Sequence, residues 1–195
     1  MRKIRIIEQI SLDGVQQSAD ENDFPYGNWS APYRPPAGRQ LILAVYGESF
    51  GPLLGRRTYD MWSGSGQRRR AVRWRTASMP QQNISLPTVR KASHGGRPRP
   101  LDRTSSRARR IKVQDGPDVI LSGSFTLTST LLEHGLADEV LVVVFPVLLG
   151  TAKRIFADGT PPRSFELVST KALASGVTLS TYRLNGPLRT GTLGG

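Results

Sequence analysis

The chain has 195 residues, enough for one domain with a real core, and no cysteine, which excludes disulfides, thiolate-bound zinc and thiol catalysis. Its two histidines, His94 in a polar stretch and His134 beside Gly135 where a helix should end, do not suggest a metal site, and no apolar run reaches membrane-spanning length. The net charge of +12 invites a nucleic-acid partner, but 13 of the 27 basic residues and only Asp102 of the 15 acidic ones fall within residues 67–110, leaving 14 of each elsewhere. The excess is one block set into an ordinary neutral domain, expected to be soluble and cytoplasmic.

Lys3–Leu12 reads as a first strand, with Ile4, Ile6 and Ile10 on one face, ending in the turn signature Ser11-Leu12-Asp13-Gly14. Residues 16–36 form a long polar loop carrying Phe24, Tyr26, Trp29 and Tyr33. A loop of that length in a compact domain points to a substrate side, against the plainer alternative of aromatics covering the core. Gly38–Ser49 reads as a helix and Gly51–Gly55 as a short buried strand. Arg56, Arg57 and Thr58 then stand at the next helix start. Cations there oppose the helix dipole, a conflict that an anionic ligand would relieve.

Residues 67–110 show no clear periodicity, and order is expected to resume at Ile111. From Gly116 to Gly150 the pattern is strand, tight turn, helix and buried strand. Asp118–Leu121 runs into Ser122-Gly123-Ser124. Leu127, Leu131, Leu132 and Leu136 follow at helical spacing, and Glu139–Phe145 is almost unbroken apolar sequence. A small-residue turn at a helix start points backbone N–H groups and the positive end of the dipole outward, which suits a phosphate. It equally suits an ordinary strand–helix connection. Phe165–Lys171 and Gly176–Arg183 alternate as a terminal hairpin, followed by a tail over 188–195.

Taken together, SLDG, LLGRRTYDMW, GPDVILSGSFTLTSTLLEHGLADEVLVVVFPVLLG and the closing hairpin resemble the dihydrofolate reductase superfamily. The closer likeness is to the branch with the riboflavin-biosynthesis reductase domain. It covers 1–66 and 111–187. It implies a single α/β domain over 1–187, a three-layer α/β/α mixed sheet with a C-terminal antiparallel hairpin. It also implies NADPH-dependent reduction of a small pterin- or pyrimidine-like heterocycle. By this resemblance Gly55, Arg56, Arg57 and Thr58 match one phosphate-binding turn, and Ser122, Gly123, Ser124 and Phe125 match the turn that holds the pyrophosphate. Asp13 is the candidate catalytic carboxylate, able to orient a heterocycle or relay a proton; its alternative is a plain turn residue. The classical folate enzymes place their carboxylate on the helix after the long loop, where this chain has only an unmatched Glu48.

The resemblance stops at 67–110, where the family has a helix, a strand and a loop that reach the 2′-phosphate side of the cofactor. The arginine-rich block reads as a segment translated in a shifted frame. Moving the third base of each codon into the next lets Arg73–Arg90, RWRTASMPQQNISLPTVR, encode MADSLNAATKYIATHRP, which restores a helix, a strand and a basic turn in order. An irregular 67–110, weak NADPH binding and low stability are then expected. Two other readings stay open. One is a nucleic-acid-binding protein acting non-specifically through the arginine block. The other is a homodimer without catalysis, associating through an apolar run such as Leu141–Phe145.

Overall fold

The computed structural model describes residues 1–16, 24–34, 40, 44–47, 49–55, 84–86, 100–156 and 158–192, with backbone alone at 84–86 and 100–103. Its centre is a seven-stranded mixed sheet: β1 (Ile4–Ile10), β2 (Gly51–Gly55), β3 (Ile84–Leu86), β4 (Val119–Leu121), β5 (Glu139–Val144), β6 (Arg163–Ala172) and β7 (Thr178–Pro187). The order across the sheet is β3-β2-β4-β1-β5-β7-β6. The first five strands are parallel, and β7 and β6 add an antiparallel edge. This is the expected α/β architecture, with the expected hairpin closing it.

β1 lies in the middle because both its faces are apolar, as a parallel strand covered on both sides requires. Ile4 and Ile6 pack with Leu53, Val119, Leu121 and Val140 under helices α1 (Pro100–Val113) and α2 (Phe125–Glu133). Ile7 turns to the opposite face and joins Ile120, Leu141, Val143 and Phe145, covered by Trp29, Tyr33, Tyr46 and Phe50. Leu141, Val143 and Phe145 are therefore core, while Val142 and Val144 between them are partly buried. Residues 40 and 44–46 are helical, within the helix expected there. Among the described residues no helix is long and apolar enough to cross a membrane.

The expectation of an irregular 67–110 is corrected at two places. Ile84–Leu86 pairs in parallel with Leu53–Gly55, and counted codon by codon it lies inside the stretch that the shifted frame would read as KYIAT. Order resumes not at Ile111 but at Pro100, where α1 begins. A proline suits a helix's first turn because its missing N–H would have had no partner there. Thr104, Ser105, Ala108 and Ile111 then recur at helical spacing and are buried, while Arg107, Arg109 and Arg110 face solvent. Small and hydroxylated residues form the buried stripe, so a search for large apolar residues passes over it. At the other end, β7 runs to Pro187, and 188–192 follow without regular structure.

Candidate functional site

The site lies at the C-terminal ends of β1, β2 and β4, where parallel α/β sheets bind ligands because helix N-termini and strand-end loops converge there. β4 ends at Leu121, and Ser122-Gly123-Ser124 leads into α2 with Gly123 at φ +67°, a left-handed conformation that glycine adopts without strain. Ser124 is extended, at φ −175°, and its carbonyl accepts the first helical bond, from Thr128 N–H at 2.9 Å. The amides of residues 124–127 thus precede the helical ladder and lie at the positive end of its dipole.

Gly55, at the end of β2, closes against this turn. A β-carbon added there would stand 2.6 Å from Ser124 Oγ and 3.2 Å from Ser124 Cβ. Gly55, the first residue of one turn singled out in the sequence, thus meets Ser124 of the other, a closeness that favours a residue without a side chain. Arg56, Arg57 and Thr58 lie outside the described residues, as does Glu48. The half-buried Tyr46 phenol lies within hydrogen-bonding reach of the Ser122 hydroxyl, and burial pushes its pKa up. The half-buried Phe125 ring carries the Lys153 ammonium 5.8 Å from its centroid, which brings a cation to the start of α2.

Asp13 is held by hydrogen bonds at the turn after β1. Its carboxylate accepts the Ser11 hydroxyl at 2.6 Å and the backbone N–H groups of Leu149 and Gly150 at 3.2 and 2.8 Å. The Ser11 bond, followed by the Gly150 and Leu149 amides, holds its pKa below the ordinary value. Leu12 N–H bonds Val147 carbonyl, Gln16 N–H bonds Lys153 carbonyl and Ile155 N–H bonds Gly14 carbonyl. The SLDG turn and the PVLLG loop are thereby fastened to each other, and Asp13 is the ionised clasp. A carboxylate in that state carries no proton to relay at neutral pH.

Sequence reasoning missed Glu8. It lies on the Ile4–Ile6 face of β1, opposite Val142, and is 2 % exposed. Its two oxygens accept the Gly123 N–H at 3.0 and 3.1 Å, and the Gln16 side-chain amide also donates to it. The buried Thr128 hydroxyl lies close enough to favour the charged form, although it completes no hydrogen bond of ordinary geometry. Burial outweighs these donors and pushes the pKa up to about 8, so Glu8 is largely a neutral acid at pH 7. A signal was available: an acid among isoleucines in the run IRIIEQI, on the strand's apolar face, must be buried with partners.

On the other face the 24–34 segment is laid over the sheet. Trp29 and Tyr33 meet Phe145 edge to face, at 5.4 and 6.4 Å between centroids. Arg34 stands over the same ring at 5.7 Å and donates to Gln9 Oε1 at 2.5 Å and Ser30 Oγ at 2.8 Å. Trp29 and Tyr33 thus cover core, and the segment brings an exposed guanidinium and an amide to the end of β1.

Comparison with known proteins agrees with this architecture. Residues 106–179 match the RibD C-terminal domain. An uncharacterised protein of Bacillus subtilis, YyaP, is 34% identical over 77 residues, which are 40% of this chain and 41% of that protein. The aligned part is thus less than half of either. A riboflavin biosynthesis protein from a Shewanella species superposes with a TM-score of 0.60 at 16% identity, covering 94% of this chain and 99% of the other. A pyrimidine reductase-like protein of Corynebacterium diphtheriae gives 0.62 at 12% identity, covering 94% and 92%. A bifunctional deaminase/uracil reductase of Thermotoga maritima gives 0.55 at 13% identity, with 57% of that chain covered. At these identities the likenesses establish the fold.

Proposed function

We propose, for a chain whose residues 106–179 belong to the RibD C-terminal domain family, that it is an NADPH-dependent reductase of a small pterin- or pyrimidine-like heterocycle. The observation that carries this reading is the close approach of Gly55, the last residue of β2, to Ser124 in the turn before α2, at one end of one sheet. A dinucleotide's phosphates are spread along its length and need two such points. The residues present suit that group. The amides of 124–127 and the Lys153 ammonium beside Phe125 would hold phosphate oxygens, and Arg56, Arg57 and Thr58 would complete the other turn by resemblance.

The bound cofactor would supply the hydride. The chain's own task is to place the heterocycle. On the Gln9 side of β1, the Arg34 guanidinium and the Gln9 amide offer polar edges beside the partly exposed Trp29 and Tyr33 rings, a suitable pairing for a flat, hydrogen-bonding substrate. Asp13 positions the 146–155 loop and does not move a proton. Following NADPH consumption with pterins and with aminopyrimidine carbonyl or imine compounds tests the reading. Turnover with one class and loss of turnover in Arg34→Ala are expected, whereas NADPH binding with no consumption by either class would sink the substrate assignment.

A further inference from the structure

Glu8 has a place in the dinucleotide reading that the sequence does not assign. Its carboxylate is buried beneath the turn proposed to receive a phosphate, and it holds the backbone amide of that turn's central residue, Gly123, at 3.0 and 3.1 Å. The amide bonded to Glu8 is turned into the protein. An ionised carboxylate accepts such an N–H roughly twice as strongly as a neutral one. It also sets a negative charge in a poorly solvated position behind the start of α2, where the helix dipole would otherwise favour the incoming anion.

We propose that Glu8 is a proton-controlled positioning residue for the Ser122–Ser124 turn. With the carboxyl protonated, the turn admits a dinucleotide phosphate; with it ionised, Gly123 N–H is held inward and the buried charge opposes the phosphate. The inference rests on the dinucleotide reading above. Among the described residues, the groups facing Glu8 leave it as the one that changes charge between neutral and mildly alkaline pH. Gln16 and Thr128 do not titrate, and the β5 residue opposite is Val142. Tyr46, bonded to Ser122, is itself pushed up by burial, and Arg34 faces Tyr46. Arginines keep their charge throughout that range, so Arg56 and Arg57 add no pH dependence wherever they lie.

Linkage makes the effect reciprocal: a phosphate that binds better to the protonated form raises the affinity of Glu8 for its proton. Above the Glu8 titration, each dinucleotide bound takes up a proton from solution.

The test is the NADPH affinity of the full chain from about pH 6.5 to about pH 9.5, with NADH as a control for titration of the ligand's own 2′-phosphate. Affinity for both should fall by up to about tenfold per pH unit above about pH 8 and be nearly flat in Glu8→Gln. Calorimetry of the unmodified protein in buffers of different ionisation enthalpy gives a second readout, independent of how the variant folds. Uptake approaching one proton per dinucleotide at about pH 9 is expected. Binding of equal strength across the range with no proton uptake would overturn the role of Glu8 and leave the dinucleotide site standing. No binding of either dinucleotide at any pH would overturn both.

Discussion

Gly55 and Ser124 touch without room for one more carbon: a β-carbon on Gly55 would lie 2.6 Å from Ser124 Oγ. Gly55→Ala is therefore expected to turn Ser124 Oγ aside and to shift the α2 turn slightly against its Cβ at 3.2 Å, and overpacking of this kind typically costs about 1–3 kcal/mol. Ser124→Gly in the same chain removes the atoms in the way and should restore most of the loss. Denaturant unfolding of the single and double variants checks this. Strict additivity of the two substitutions would mean that the contact does not hold the turns together.

The buried acid makes stability depend on pH. Folding raises the pKa of Glu8 from 4.5 to about 8, so the folded protein binds the proton more tightly than the unfolded chain does. The resulting stability is fully present below pH 4.5 and is lost as pH rises towards about 8, by up to about 1.4 kcal/mol per unit. Glu8→Gln keeps the shape and cannot ionise, so its stability should be level across that window and exceed that of the parent at alkaline pH. Identical pH profiles for the two proteins would contradict the burial argument.

For Asp13 the sign reverses. Its pKa is lowered by folding, so the contribution is present above the ordinary value of 3.8 and lost as pH falls through the lower one. Asp13→Ala should release the Leu149 and Gly150 amides and cost about 1 kcal/mol, with a modest change in turnover. A collapse of kcat with unchanged stability would return Asp13 to a catalytic role.

These residues show how far the chain can be read without coordinates. The strand that ends at Gly55 and the strand–turn–helix unit around Ser122–Ser124 are legible because their signals are local: apolar runs broken by small residues. Their contact is not, since it depends on β2 and β4 becoming neighbours in the sheet. Asp13 was visible as a polar residue at a strand end. Which partners its oxygens take depends on the distant PVLLG loop. Glu8 was hidden in plain view among isoleucines, and α1 by a buried stripe made of Thr104, Ser105 and Ala108. On that helix Arg107, Arg109 and Arg110 take the solvent face and say nothing of its packing.

The frame argument makes its own prediction. Replacing Arg73–Arg90 by MADSLNAATKYIATHRP should lengthen the pairing of β3 with β2, now three residues long, and raise both unfolding free energy and NADPH affinity. It should also weaken the steeply salt-dependent DNA binding that the arginine block would confer. Binding to NADPH and to DNA, measured before and after the exchange, checks it. A chimera no more stable and no better at binding NADPH would mean that the block belongs to the working protein.

The central claim is that the two turns form one dinucleotide site, and NADPH fluorescence titration of the unmodified chain beside Gly55→Ala tests it most directly. The account predicts saturable binding in the parent and binding weaker by about tenfold or more in the variant, the equivalent of about 1.4 kcal/mol. Saturation with the same affinity in both, or no saturation in the parent, would contradict it.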